Sequence, residues 1–198
     1  MKITCDENHV YRDESGTPIK ADSVTNILQE ERYIDFAGVP GYLLEAGRDF
    51  GQNLHLAIHL YNKGTLNWEL LDPALIPYVE AYSRLLTDFK AEVIQTELSG
   101  YCKTWNYTWT LDLVLNRQGK LCIYDLKSGK PPKWAQLQSF AYKLAFEEFS
   151  GLKIKERGCI QLIPGKTVPY RIEPHTRKED EGQWKSILQC HYGREKYL

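Results

Sequence analysis

Two strand-forming runs separated by a short turn constrain this chain more than any other stretch. Residues 107–115 (YTWTLDLVL) and 121–127 (LCIYDLK) are rich in β-branched, aromatic and apolar residues, and Asn116-Arg117-Gln118-Gly119-Lys120 between them carries turn chemistry. The pattern predicts a β-hairpin. A turn centred on Gln118 and Gly119 sets Asp112 directly opposite Asp125, at a cross-strand spacing of about 5 Å. Lys127 shares a face with Asp125, because strand side chains alternate with period two. Carboxylates that close repel, and an apolar sheet penalises each of them unless a positive group joins them. Two readings stand open. One is a divalent cation, for which hard oxygen ligands select Mg²⁺ or Mn²⁺. The other is a structural ion pair between either aspartate and Lys127.

A chain of 198 residues is long enough for one packed domain, or a core with a small appendage. Its 42% hydrophobic content is that of an ordinary globular protein. No apolar run approaches the ~20 residues of a membrane span, and the opening MKITCDENHV has no apolar signal region. A cytoplasmic location and no membrane partner are therefore expected. The five cysteines (Cys5, Cys102, Cys122, Cys159, Cys190) are scattered and form no C-x-x-C pair, which argues against a zinc ribbon, an iron–sulfur cluster or a disulfide framework. The net charge of −1 is unevenly spread, with 15 Lys and Arg against 20 Asp and Glu in residues 1–150, but 10 against 6 in residues 151–198. Bulk charge gives no nucleic-acid signature. A local one remains open, because Lys127, Lys130 and Lys133 closely follow the acidic pair.

Around the hairpin the pattern alternates helices and strands. Residues 3–20 predict a small hairpin turning at Glu14-Ser15-Gly16, and Asp22 or Ser23 caps a first helix through about Glu31. Tyr42 to Asn62 reads as a second helix ended by Gly64, and Asp72-Pro73 opens a third that runs to about Ala91. A strand at 92–101 precedes the hairpin. Pro131-Pro132 breaks the chain, and Lys133 to Phe149 shows the apolar spacing of an amphipathic helix in Trp134, Leu137, Ala141, Leu144 and Ala145. Strands at 157–163 and 168–173 and a helix at 177–192 follow. The expectation is one α/β domain, a central mixed sheet (a three-stranded antiparallel meander plus two further strands) flanked by helices. Residues 1–21 would be an appendage, 22–175 the core and 176–198 the last helix.

Further polar residues stand at helical and strand positions that can reach the same patch. On the second helix the apolar stripe is Phe50, Leu54, Ala57, Ile58 and Tyr61; His55 flanks it with Gly51 one turn earlier, while His59 lies farther round. A lone histidine there is either a ligand or a surface residue. Gln138 and Tyr142, one turn apart, project side by side and suit a phosphodiester, or are ordinary helix surface and a half-buried phenol. Glu97 adds a carboxylate on the preceding strand. Tyr101, Lys103, Trp105, Tyr107 and Trp109 alternate around the first meander turn; they could stack on unpaired bases or pair across the sheet.

Taken in order, Gly51 and His55, Glu97, Asp112, Asp125-Leu126-Lys127, and Gln138 with Tyr142 resemble the motifs of the PD-(D/E)XK nuclease superfamily, specifically its RecB-like exonuclease branch. The resemblance spans about residues 22–145, and Ser23-Val24-Thr25-Asn26-Ile27-Leu28 is similar to the opening of many phage and prophage members. It implies a restriction-endonuclease-like core and metal-dependent exonuclease action on DNA in recombination, repair or phage DNA processing. His55, Asp112, Asp125 and the Leu126 carbonyl would hold one or two Mg²⁺ or Mn²⁺ ions, with Glu97 a further ligand candidate. Lys127 would position the attacking water, and Gln138 and Tyr142 would grip the neighbouring phosphate. Trp105, Tyr107, Lys130 and Lys133 are weaker DNA-contact candidates. The implied partner is DNA, with a homo-oligomer or a recombination protein as further options; an endonuclease of the same superfamily and a non-catalytic nucleic-acid-binding protein are the alternatives. The chain departs from the pattern at Leu111, which is not proline, at Trp109, where many relatives carry glycine, and at His59, where some carry an acid. No departure removes a ligand, and no iron–sulfur cluster is implied.

Overall fold

The computed structural model describes residues 3–5 and 10–194. The predicted hairpin is present as β4 (Tyr107–Arg117) and β5 (Lys120–Lys127), preceded in chain order by β1 (Thr4–Cys5), β2 (Tyr11–Arg12), α1 (Val24–Glu30), α2 (Gly41–Asn62), α3 (Ile76–Phe89) and β3 (Ala91–Cys102). After it come α4 (Ala135–Ser150), β6 (Glu156–Leu162), β7 (Tyr170–Pro174) and α5 (Asp180–Arg194). Gln118 and Gly119 both have positive φ, 52° and 81°, the mirror-image turn whose twist matches a two-residue hairpin. Asn116 Oδ1 accepts the Gly119 N–H at 2.9 Å and closes it.

β3 to β7 lie side by side in one sheet, in chain order, with β5 and β6 parallel and every other pair antiparallel. The parallel step is the crossover through α4. This is the expected α/β architecture, a mixed sheet flanked by helices. Two apolar clusters hold it. Leu54, Val79, Tyr82, Leu85, Leu113, Leu115, Cys122, Tyr124 and Ile160 join α2 and α3 to one side of the sheet. Val24, Leu28, Trp109, Leu111, Val114, Ile123, Ala141, Phe146 and Trp184 join α1, α4 and α5 to the other. Among the described residues no helix is long and apolar enough to cross a membrane.

The β4–β5 ladder runs from Arg117 opposite Lys120 to Leu113 opposite Tyr124, the predicted register, and stops one row short of the two aspartates. Beyond that row β5 continues against β6 as far as Lys127 beside Gln161, while the Thr108 N–H of β4 is taken by the Asp22 carbonyl at 2.9 Å. The strands thus fork, and Asp112 and Asp125 stand at the fork.

Several expectations need correction. The N-terminal ribbon pairs Thr4 with Arg12 and Cys5 with Tyr11, so its connection falls at residues 6–10, of which 6–9 lie outside the described residues. The predicted turn at Glu14-Ser15-Gly16 does form: Asp13 Oδ1 accepts the Ser15 and Thr17 N–H groups at 2.9 Å, and the chain pairs back on itself through Asp13 N–H to the Thr17 carbonyl at 3.0 Å, Ile19 N–H to the Tyr11 carbonyl at 2.8 Å and a bridge from Arg12 to Pro18. Asp72 does not cap α3. Its Oδ1 accepts the Ala74 N–H at 2.8 Å in a separate turn, and the helix starts at Ile76 with Pro77 in its first turn. α4 is buried around most of its circumference rather than along one stripe, since Gln138, Ser139, Phe140 and Tyr142 are buried together with Leu137, Ala141 and Ala145. It lies between the sheet and the pair α1 and α5, so its polar residues need partners inside the protein.

Candidate metal centre

α2 seals Leu54, Ala57 and Ile58 into the core and leaves His55 at the edge of that stripe, its side chain 25% exposed. From there the imidazole reaches the fork. Nδ1 lies 3.2 Å from Glu97 Oε1 and 3.5 Å from Asp112 Oδ1, and Nε2 lies 3.3 Å from the Leu126 carbonyl oxygen. His55, Glu97 and Asp112 each offer a ligand atom, all within 4.8 Å of one another. A Cβ on Gly51 would meet no atom within 4 Å, so the space one turn before His55 is open and packing does not demand the glycine.

Glu97 reaches this cluster because β3 is irregular. A register shift between Val93 and Gln95 breaks the β3–β4 ladder, and Glu97 itself sits at φ 49°, a left-handed conformation unusual for a non-glycine residue. Bulges and isolated strained residues re-aim side chains near functional sites. Glu97 lies between Thr96, which pairs with Leu113, and Leu98, which pairs with Leu111, so it arrives beside Asp112. Asp112 in turn uses Oδ2 to accept the Leu126 N–H at 2.7 Å, where a continuous ladder would have supplied a backbone carbonyl. That bond fixes the carboxylate and orients the Leu126 peptide.

Asp125 takes different partners. Its Oδ2 lies 2.7 Å from Lys127 Nζ and accepts the Cys159 thiol at 3.6 Å from the neighbouring strand. The ammonium also sits 5.7 Å from the centre of the Trp134 ring, which restrains it further. The structure therefore brings His55, Glu97, Asp112 and the Leu126 carbonyl into one group, with Asp125 and Lys127 as an ion pair beside it.

Three carboxylates face one lysine and one histidine here, and the electrostatics follow. Burial pushes Asp112 up to a pKa of about 7, with Asp125 and Glu97 adding to the rise and His55 opposing it. Burial works against the His55 imidazolium, yet Asp112 and Glu97 outweigh it and raise its pKa to about 9. A doubly protonated His55 donates to carboxylate oxygens from Nδ1 and to the Leu126 carbonyl from Nε2, so its proton compensates the same oxygens a metal ion would take. Lys127 is likewise held above the usual lysine value by Asp125 and Asp112, against its burial. An imidazole nitrogen with carboxylate and carbonyl oxygens is a donor set that fits a divalent metal ion.

On α4, Gln138 Nε2 donates to Tyr142 Oη at 3.0 Å and lies 3.5 Å from Thr25 Oγ1 of α1, while Gln138 Oε1 is buried without a partner. The pair is side by side as expected, but buried rather than on a helix surface. Tyr107 is not available for base contact. It is fully buried, its hydroxyl donates to the Ala141 carbonyl at 2.8 Å and its ring packs edge-on against Trp184. Trp109 is buried too, its ring folded over its register partner Gly100, where a Cβ would lie 2.0 Å from the indole. Neither pairs with an aromatic across the strands; both are core. Trp105 is half-buried under Lys185, whereas Lys130 and Lys133 are exposed beyond Lys127. His59 stays outside the centre, with Nδ1 2.5 Å from Thr96 Oγ1. Cys159 and Thr25 were missed from the sequence; nothing in a lone cysteine or a helix threonine marks a contact made across the sheet or between helices.

No protein-family model and no curated protein matches the chain. Among solved structures, a candidate exonuclease from Eubacterium rectale is similar with a TM-score of 0.48 and 11% identity, over 73% of this chain and 65% of that one, just under two thirds of its length. The protein SSO0001 aligns with a TM-score of 0.37 and 14% identity, over 85% of this chain and 82% of its own. Each is a distant likeness in outline.

Proposed function

We propose that this chain is a metal-dependent deoxyribonuclease of the PD-(D/E)XK type, acting as an exonuclease on DNA. The observation that carries the reading is the convergence of His55, Glu97, Asp112 and the Leu126 carbonyl at a fork in the sheet, with Lys127 held beside them by Asp125. A structural ion pair needs one carboxylate for one cation; this site has carboxylates in excess, which suits a divalent ion facing a phosphate.

His55, Glu97, Asp112, Asp125 and the Leu126 oxygen would hold Mg²⁺ or Mn²⁺, which when bound neutralises phosphate charge and lowers the pKa of coordinated water toward 7. Lys127, held beside the centre by Asp125, would position the attacking water. Asp125 fixes that ammonium. Gln138 and Tyr142, hydrogen-bonded to each other at 3.0 Å, would grip the neighbouring phosphate. Lys130 and Lys133 extend the positive path past the catalytic lysine.

The test is digestion of end-labelled linear and covalently closed circular DNA with Mg²⁺ or Mn²⁺, alongside Lys127→Ala. The reading expects the linear DNA to be degraded, the circles spared and the variant inactive. Cutting of closed circles would reassign the protein as an endonuclease. Neither Mn²⁺ affinity nor cleavage would make it a binding module.

A further inference from the structure

The ligand row is followed by a second polar row on the same strands. Ser99 stands two residues along β3 from Glu97, and Thr110 two residues along β4 from Asp112; they are register partners, with their hydroxyl oxygens 2.9 Å apart. Thr110 Oγ1 is in turn 3.1 Å from Tyr11 Oη. Tyr11 belongs to the N-terminal ribbon and is only 7% exposed. The ribbon is anchored. Tyr11 pairs with Cys5, its carbonyl accepts the Ile19 N–H at 2.8 Å, and the chain that follows is bonded to β4 through Asp22 and Thr108. Tyr11 is also near enough to Tyr142 to bear on its ionisation.

Two features make this row more than packing. It is lined by hydroxyls with no carboxylate, directly beside a centre dominated by carboxylates, so it suits a sugar better than a cation. Two strand residues span about 6.5 Å, roughly one extended nucleotide unit. A phosphate at the His55–Glu97–Asp112 centre would therefore put the next nucleoside against Ser99, Thr110 and the ribbon's Tyr11.

We infer that the N-terminal ribbon is an end stop, its Tyr11–Thr110–Ser99 row seating the terminal nucleoside of a nucleic-acid strand so that cleavage starts at free ends and releases mononucleotides. The inference rests on the nuclease reading and adds the residues that enforce the free-end requirement, and the product size.

The experiment compares the wild type, Tyr11→Ala and Tyr11→Phe on end-labelled linear single-stranded DNA and on closed circular single-stranded DNA with Mn²⁺. The wild type releases mononucleotides and spares circles. Tyr11→Ala opens the wall, so the circle-to-linear rate ratio rises by about tenfold or more and linear products lengthen to di- and trinucleotides. Tyr11→Phe keeps the ring, and therefore keeps circles intact. Where Tyr11→Ala does not fold, Thr110→Val takes its place, with the same lengthening of products expected. Mononucleotide release and spared circles in a folded, Mn²⁺-binding Tyr11→Ala or Thr110→Val protein would overturn the end stop while leaving the nuclease reading intact. Circle cutting by the wild type would also overturn it. A wild type that cleaves neither substrate overturns the nuclease reading, and the end stop with it.

Discussion

Two buried ionic clusters lie two rows apart on the same parallel strand pair, and they are built on opposite principles. Asp125 on β5 pairs with Cys159 of β6; two residues earlier Ile123 pairs with Arg157. Arg157 is buried, yet its Nη1 donates to the Gln136 carbonyl and Ser139 Oγ at 2.7 and 2.8 Å, and its Nη2 to Asp180 at 2.5 Å and the Arg177 carbonyl at 3.4 Å. One cation meets one anion, and His175 completes the group as a neutral ring bonded to Ser139, its pKa lowered by burial and by Arg157. At the fork, Glu97, Asp112 and Asp125 share Lys127 and His55, and the protein raises pKa values to hold the protons that balance them. A cluster that only supports a fold can close its own charge. One that stays short of positive charge is suited to receive it from outside.

The comparison breaks most sharply on activity. Lys127→Ala and Asp112→Ala should each reduce hydrolysis of linear DNA with Mn²⁺ by about 10²–10⁴-fold, the range for removing a group that acts on the reacting atoms, with the far-ultraviolet circular dichroism unchanged. Arg157→Ala should leave the rate per folded molecule near that of the wild type. Full activity in a purified Lys127→Ala protein would sink the assignment of the fork.

Stability should show the reverse order. Removing one partner of a buried pair typically costs about 3–5 kcal/mol, because the other charge is left uncompensated. Arg157→Ala and Asp180→Ala are therefore expected to lower urea-denaturation stability by that amount, whereas Asp112→Asn, which replaces a carboxyl that burial already disfavours in its charged form and keeps an acceptor for the Leu126 N–H, should cost little or stabilise the metal-free protein. Equal losses at the two clusters would mean that the fork too is structural.

The same contrast marks what the sequence made legible. The hairpin, its turn at Gln118-Gly119 and the register up to Leu113 opposite Tyr124 follow from local rules, strand alternation and turn chemistry, and the structure keeps them; the fork that parts the strands at the next row, where Asp112 was expected to face Asp125, does not. The placement of His55 beside a buried stripe does follow from them. What escaped is non-local. Glu97 had a weak claim because nothing in its neighbours announces a left-handed residue in mid-strand. Tyr107 stood open between base stacking and cross-strand pairing because alternation alone does not say that α4 and α5 cover that face. Arg157 and Asp180, the fold's own ion pair, are 23 residues apart and carry no motif.

A pH titration sharpens the difference. His55 and Asp112 titrate as a pair: once ionised, Asp112 helps raise His55 from 6.5 to about 9, and the stability of that charged pair is lost as pH rises through 9. Asp112, raised to about 7 from 3.8, keeps its proton in the folded state, so stability also falls as pH rises from about 4 to 7. The metal-free protein should thus melt at progressively lower temperature from pH 6 to 9. Saturating Mn²⁺ should reverse the trend, since metal replaces the protons and binds more tightly as they leave; at a hundred times its dissociation constant it adds about 2.7 kcal/mol. Arg157→Ala should keep this slope and Asp112→Asn should flatten it. A wild-type melting temperature that is flat in pH and indifferent to Mn²⁺ would erase the distinction.

The smallest expected effect lies outside both clusters, at Lys130 and Lys133, exposed on the segment that leads from Lys127 into α4. If DNA leaves the fork along this segment, each lysine neutralises a phosphate without touching the reacting one. Lys130→Ala and Lys133→Ala should then weaken DNA binding a few-fold, independently of sequence. Each should also reduce the slope of log affinity against log salt by about 1, because one fewer counterion is released. The Mn²⁺-induced melting shift and the rate at saturating DNA should not change, which separates a lysine on the path from Lys127 at its end. An unchanged salt slope in the double variant would place the DNA on another side of the fork.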